Sequence, residues 1–145
     1  MRIVIQRAEK AKVSVDGEVV GQIGKGFMVL VGVGPEDTKQ NADFLVNKMC
    51  NLRVFEDEQG KMNLSIKDVG GQVLAISQFT LYADCKKGNR PSFTGAAKPE
   101  QANELYEYFM EEIKKQGIKV EHGIFGAHMK VDFINDGPVT ILLEN

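Results

Sequence analysis

Ala11-Lys12-Val13-Ser14-Val15-Asp16-Gly17-Glu18-Val19-Val20-Gly21-Gln22-Ile23 holds two β-prone runs joined by a single pair of turn residues, Asp16 and Gly17. That pair suits a type I′ turn, which needs positive φ at both central positions and matches the twist of paired strands. The stretch therefore predicts an antiparallel hairpin, and a sheet that starts antiparallel. Upstream, Ile3 and Ile5 alternate with polar neighbours, as in a half-buried strand. Downstream, Gly26 to Val33 is almost wholly apolar, the pattern of a strand covered on both faces, and Gly34-Pro35 stops it.

The period then changes. From Asp37 onward Ala42, Leu45, Val46 and Met49 recur at helical spacing, with Asp37 or Thr38 as the N-cap. After Leu52 to Phe55, the polar run Glu56 to Lys61 reads as a turn, and Gln72 to Leu81 as a long central strand beginning after Gly70-Gly71. A second helix is expected from Pro99, at N1, to Gly117, with Glu100 early and Lys114 and Lys115 late to complement its dipole. Three further strands follow: Lys119 to His122, His128 to Ile134, and Val139 to Leu143 after Asp136-Gly137-Pro138. The expected fold class is α+β: a largely antiparallel, barrel-like β-sheet with two main packed helices, in a single domain over residues 1–145. The order does not read as regular βαβ units.

Composition narrows the function. A chain of 145 residues with 43% hydrophobic content can bury a core without staples. The start, Met1 to Arg7, lacks the apolar stretch of a secretory signal, and no run approaches spanning length, so a cytoplasmic protein without a membrane partner is expected. Cys50 and Cys85 show no metal-ligand or redox spacing and read as reduced thiols; no metal and no cofactor is expected. A net charge of −2 argues against a protein that coats nucleic acid through bulk electrostatics. One local patch stands out, the loop Asp84 to Lys98, with Lys86, Lys87, Arg90 and Lys98 against a single acid. It is either an ordinary solvated loop or a contact for a phosphate backbone.

Conventional catalytic sets are absent. There is no Gly-x-Ser-x-Gly elbow, no His-Glu-x-x-His helix and no Gly-rich nucleotide loop, and the acids of the second helix read as a solvated face. His122 and His128 read as surface or partly buried strand residues. Two segments are unusual. Ser77-Gln78-Phe79-Thr80-Leu81 puts polar side chains at the end of the apolar run Val73 to Ile76, where buried polar groups need partners. Taken alone, Ser77 and Thr80 are β-tolerant residues and Gln78 a side chain facing water. Asn135-Asp136-Gly137-Pro138-Val139-Thr140 is either a plain turn or, with proline's low cost of a cis bond, a rigid backbone gauge.

These two segments resemble the signature motifs of the D-aminoacyl-tRNA deacylases, Ser-Gln-Phe-Thr-Leu and Gly-Pro-Val-Thr, without departure. The likeness extends through Tyr82-Ala83-Asp84, Lys87 to Phe93 and Met1 to Arg7, essentially the whole chain. The resemblance implies a homodimer in which Gly137 and Pro138, joined by a cis bond, reach into the other subunit's pocket near Ser77 to Leu81. It implies hydrolysis of the ester between a D-amino acid and the 3′-terminal adenosine of tRNA, assisted by the RNA's own 2′-hydroxyl. On this footing Ser77, Gln78, Phe79 and Thr80 form the catalytic segment, with main-chain N–H groups near Phe79 and Thr80 on the oxyanion and Gln78 positioning substrate. Thr80 has two readings, nucleophile or positioning group, and no base beside it favours the first. Leu81, Val139 and Thr140 join the substrate-binding set. Phe125 and Met129 match positions lining the family's adenosine pocket, with core packing as the other reading; Arg7 supports the Gly-Pro loop, and Lys86, Lys87 and Arg90 are the expected tRNA backbone contacts. Inward carbonyls at Gly137 and Pro138 would exclude an L side chain by volume, which predicts that glycine is also accepted.

The rival from another class is a catalytically inactive nucleic-acid-binding relative of the DNA-unwinding-element binding kind. No basic tail follows the Gly-Pro strand, and the charge is slightly negative, which ranks this below the esterase. A proofreading domain working only within a synthetase is a third reading, though nothing in the chain resembles a synthetase body.

Overall fold

Asp16, at φ 50°, and Gly17, at φ 81°, supply the two positive φ values of the expected turn. In the computed structural model, which describes residues 1–145, they join β1 (Arg2–Val15) to β2 (Glu18–Ile23) in an antiparallel pair. β1 is long because it has two neighbours in each half. Arg2 to Ala8 lie between β3 (Gly26–Gly32) and the end of β8 (Lys130–Glu144); Ala11 to Ser14 lie between β2 and the start of β8.

The remaining pairings of this sheet are parallel. β3 pairs with β6 (Gln72–Ser77), and β6 with β7 (Val120–His122). Parallel neighbours cannot be joined by a tight turn. The chain passes from β3 to β6 through α1 (Lys39–Asn51) and the small hairpin of β4 (Phe55–Glu56) and β5 (Met62–Leu64), and from β6 to β7 through α2 (Pro99–Lys115). The fold thus contains two helical crossovers, where the element order in sequence does not read as βαβ units. The α+β, barrel-like character holds, with a mixed sheet: antiparallel around β1, parallel across β3, β6 and β7. The sheet curls until β2 faces β7. A Cβ on Gly21 would stand 2.6 Å from the His122 carbonyl oxygen, so only glycine lets the two strands approach this closely.

Two apolar clusters cover the two faces of the central strands. Phe27, Val29, Val31, Val73 and Ala75 pack with Leu45, Val46 and Met49 of α1 and Leu105, Phe109 and Ile113 of α2. Their alternate neighbours Met28, Leu74 and Ile76 pack with Ala11, Val13 and Ile23 in the barrel interior. This double burial is why β3 reads as a continuous apolar run. Thr38 proves to be the N-cap of α1, and Asn41 Oδ1 accepts its N–H at 2.8 Å.

Two strand expectations are corrected. Gln72 to Leu81 is not one strand: β6 stops at Ser77 and Phe79–Tyr82 forms a 3-10 turn. The Gln78 N–H still reaches the Val31 carbonyl at 2.8 Å, but β3 ends there. The chain then closes local bonds, Leu81 N–H to the Gln78 carbonyl and Ala83 N–H to that of Thr80. Conversely, the expected strands His128 to Ile134, which starts only at Lys130, and Val139 to Leu143 are parts of one strand, β8, because β1 pairs with both. Between Gln6 opposite Thr140 and Ala8 opposite Asn135, β1 advances by two positions and β8 by five. The surplus residues, Gly137 and Pro138 among them, form a bulge.

Candidate active site

The ends of β3 and β6 form the floor of a cavity of about 530 Å³, lined by Val31, Ile76, Ser77, Gln78 and Phe79 on this side. Phe125 and Met129 line it in the segment between β7 and β8, and Ala97, Pro99 and Ala102 at the start of α2. The Ala97 N–H donates to the Val33 carbonyl at 2.9 Å, tying the entrance of α2 to the end of β3. The lining is mostly apolar and holds no carboxylate; His128 is its one imidazole. By sequence His128 reads only as a strand residue, because nothing local shows that the segment before β8 lies on a cavity wall.

The 3-10 turn is braced at its exit. Arg2 Nη1 donates to the Leu81 carbonyl at 2.9 Å, and the guanidinium lies 4.5 Å from the centre of the Tyr82 ring. The Tyr82 hydroxyl donates to Asp37 Oδ2 at 3.3 Å, and the same oxygen accepts the Gly34 N–H at 2.6 Å. Burial and the Asp37 carboxylate push the Tyr82 hydroxyl up to about 12, against the opposing Arg2 charge, so it remains a donor. At the entrance of the turn, the Gln78 amide donates to the Thr80 hydroxyl. As first residues of the turn, Phe79 and Thr80 have N–H groups with no carbonyl one turn back to bond.

Phe79 extends outward and meets Phe93 edge-on, with ring centroids 5.2 Å apart. Phe93 also lines the cavity and follows the cationic loop, whose neck is closed by paired main-chain bonds between Asp84 and Ser92. Lys86, Lys87 and Arg90 are exposed on that loop. Phe125 and Met129 are half-buried: they line the cavity while packing on the two apolar clusters.

The other expected residues gather at the β8 bulge. Gly137-Pro138 is a cis peptide, and both residues are exposed. Arg7, only 6% exposed, donates from Nε to the Asp136 carbonyl at 2.9 Å and from Nη1 to the Val54 carbonyl at 2.6 Å. Gln6 and Asn135, absent from the sequence-based set, complete the base of the bulge. Asn135 Oδ1 accepts the Val139 N–H at 3.1 Å, its amide donates to Gln6 Oε1, and the Thr140 hydroxyl donates to Gln6 Oε1 at 2.7 Å. None of Arg7, Leu81, Thr80, Gly137, Pro138, Val139 or Thr140 lines the cavity within the chain. The polar motif and the Gly-Pro motif thus occupy two places in the chain.

No group of three or more His, Cys, Asp or Glu side chains is arranged to hold a metal, and no helix is long and apolar enough to cross a membrane.

Residues 4–144 match the sequence profile of D-Tyr-tRNA(Tyr) deacylase. The chain is 60% identical, over its full length and 99% of the relative's, to a D-aminoacyl-tRNA deacylase of Bacillus cytotoxicus. It is 59% identical, with the same coverage, to one of Bacillus cereus. Among solved structures, c-Myc DNA Unwinding Element Binding Protein is 44% identical and superposes with a TM-score of 0.93 over 100% of this chain and 99% of its own. A probable eukaryotic D-amino acid tRNA deacylase shares the fold, with a TM-score of 0.86 at 17% identity over 99% of this chain and 98% of its own.

Proposed function

We propose that this chain, which belongs to the D-Tyr-tRNA(Tyr) deacylase family, hydrolyses the ester between a D-amino acid and the 3′-terminal adenosine of tRNA, as a proofreading enzyme of the cytoplasm. The observation that carries the reading is the cavity where Ser77, Gln78 and Phe79 meet Phe125 and Met129, in a chain matching proteins named D-aminoacyl-tRNA deacylase from end to end.

Water adds to the ester carbonyl carbon, and the oxygen that becomes negative accepts bonds from the main-chain N–H groups of Phe79 and Thr80. Collapse of the tetrahedral species breaks the bond to the ribose 3′-oxygen, which takes up the proton lost by water. Free tRNA and the amino acid leave. The neighbouring 2′-hydroxyl relays that proton, which accounts for a cavity without a carboxylate. Ser77 and Gln78 orient the ester, Thr80 is held by Gln78 as a positioning group, and the adenine lies against Phe125 and Met129.

Chirality is read by Gly137 and Pro138 of a second copy. The bulge is exposed and distant in role from the cavity of its own chain, and a homodimer brings the two together. Carbonyls there accept bonds from the substrate ammonium and occupy the volume an L side chain would need. Val139, Thr140 and Arg7 hold the bulge, Leu81 the turn, and Lys86, Lys87 and Arg90 contact the tRNA backbone.

Matched D- and L-tyrosyl-tRNA, incubated with the purified chain, test the reading: D ester is cleaved and L ester spared. Glycyl-tRNA, with no side chain to exclude, is cleaved too. Equal cleavage of D and L esters would remove the chiral role of the bulge. A second reading, binding of nucleic acid without hydrolysis, draws on the likeness to c-Myc DNA Unwinding Element Binding Protein. Tight binding of a DNA duplex with every ester left intact would favour it.

A further inference from the structure

Strand β6 outruns its neighbour β7. Their pairing ends at Ala75 opposite His122, whereas on the other side β6 stays paired with β3 as far as Ser77 opposite Val31. Past His122, the Gly123 N–H reaches the Ala75 carbonyl only at 3.4 Å, a long contact. The edge left open is the one that leads into Gln78 and the 3-10 turn.

A side chain of α2 fills it. The Tyr106 hydroxyl donates to the Ala75 carbonyl at 2.7 Å, the last main-chain acceptor that β6 turns toward β7 before Ser77. The phenol supplies a short bond to the carbonyl that Gly123, the residue after β7, reaches only at 3.4 Å. Tyr106 is 3% exposed, and burial holds its hydroxyl above its ordinary pKa, so it keeps the proton it donates. Its ring packs on Phe125, centroids 6.2 Å apart, behind the cavity wall.

We propose that Tyr106 is a positioning residue for ester hydrolysis: through the Ala75 carbonyl it fixes the end of β6, and with it the placement of Gln78, Phe79 and Thr80 against the bound ester. The inference rests on the deacylase reading above. Tyr106 touches no substrate; it acts through the main chain.

Tyr106→Phe keeps the ring on Phe125 and removes only the hydroxyl. The kcat for D-tyrosyl-tRNA falls on the order of tenfold or more, since a misplacement near 1 Å costs about a hundredfold. KM stays within about twofold, because the aromatic wall remains. Amide exchange at Ser77 and Gln78 rises, while exchange in the core of α2 holds. Tyr106→Leu, which also loses the ring, raises KM as well. A Tyr106→Phe protein that is fully folded at the assay temperature and retains wild-type kcat overturns the inference, as does unchanged exchange at Ser77 and Gln78. Failure of the unmodified chain to cleave any D ester is a different result: it removes the deacylase reading. Exchange then decides on Tyr106 alone, with loss of protection at Ser77 and Gln78 supporting its hold on the strand end and unchanged protection overturning it.

Discussion

Arg7 and Asp136 meet at the root of the β8 bulge, where the buried guanidinium Nε donates to the Asp136 main-chain carbonyl at 2.9 Å and lies 3.6 Å from its carboxylate. With Nη1 on the Val54 carbonyl at 2.6 Å, one side chain ties the bulge to the segment entering β4. A planar fork can reach both carbonyls at once; an ammonium cannot.

Arg7→Lys therefore leaves one of the two carbonyls unbonded. Loss of a hydrogen bond from a charged donor costs about 2 kcal/mol, to be read as a lower urea midpoint at unchanged slope. The ratio of D to L ester cleavage falls at the same time. An unchanged ratio would show that Arg7 serves stability alone.

Gly137 adopts φ 135°, and a Cβ there would stand 2.8 Å from Val139 Cγ2 and 3.2 Å from Arg7 Nη2. Gly137→Ala must displace the bulge, at a cost of about 1–3 kcal/mol. The far-ultraviolet circular dichroism spectrum is preserved, and D-tyrosyl-tRNA cleavage drops at least about tenfold, as expected for misplacement of groups that orient the substrate. Full activity and discrimination in this variant would take the bulge out of the site.

His128 is the one imidazole on the cavity wall. If the RNA 2′-hydroxyl carries the proton, His128→Ala changes kcat by less than about threefold. Loss of a general base would cost about a hundredfold or more. A loss on that scale would refute the RNA-assisted step.

Lys86, Lys87 and Arg90 are exposed on the loop that ends at Phe93. Replacing all three by Ala raises KM for full-length aminoacyl-tRNA and leaves kcat within about twofold. The salt dependence of binding becomes shallower by about 0.7–0.9 in log–log slope for each phosphate that is no longer neutralised. Hydrolysis of a short aminoacyl-adenosine ester is unaffected. An unchanged salt slope would assign the loop to solvent.

Burial, slightly offset by Lys67, pushes the Cys50 thiol up to about 11. Between the unfolded value near 9 and that folded value, the unfolded chain has lost the proton that the folded chain still binds. Stability is thus fully present below pH 9 and declines as pH rises toward 11. Denaturation midpoints measured across this window fall for the natural chain. In Cys50→Ala they start lower, because a buried side chain is lost, and fall less steeply. Identical slopes would mean that other groups govern the alkaline limit.

The β1–β2 hairpin, α1 and α2 were legible because each carries its own signal: Asp16-Gly17 at the turn, the Ala42–Leu45–Val46–Met49 period, and Pro99 and Gly117 at the helix ends. The polar end of β6 was legible as an oddity, since Ser77 and Gln78 interrupt an apolar run. Its change to a 3-10 turn was not, because it depends on where β3 ends, more than forty positions earlier in the chain. The contacts of Gln6, Asn135, His128 and Tyr106 are not legible for the same reason. Each is ordinary in its local context and acquires a role from a distant partner.

The amino-acid sequence by itself determined the elements, the class of fold and the two motifs, since periodicity, turn chemistry and family likeness are properties of neighbouring residues. Only the tertiary structure decided that β6 and β7 run parallel to β3. It also decided that Gly137-Pro138 is a bulge within one strand held by Arg7, and that the bulge does not line the cavity of its own chain. Those outcomes depend on which distant main-chain groups satisfy one another's hydrogen bonds. Such pairing is a global choice that no local stretch of sequence encodes.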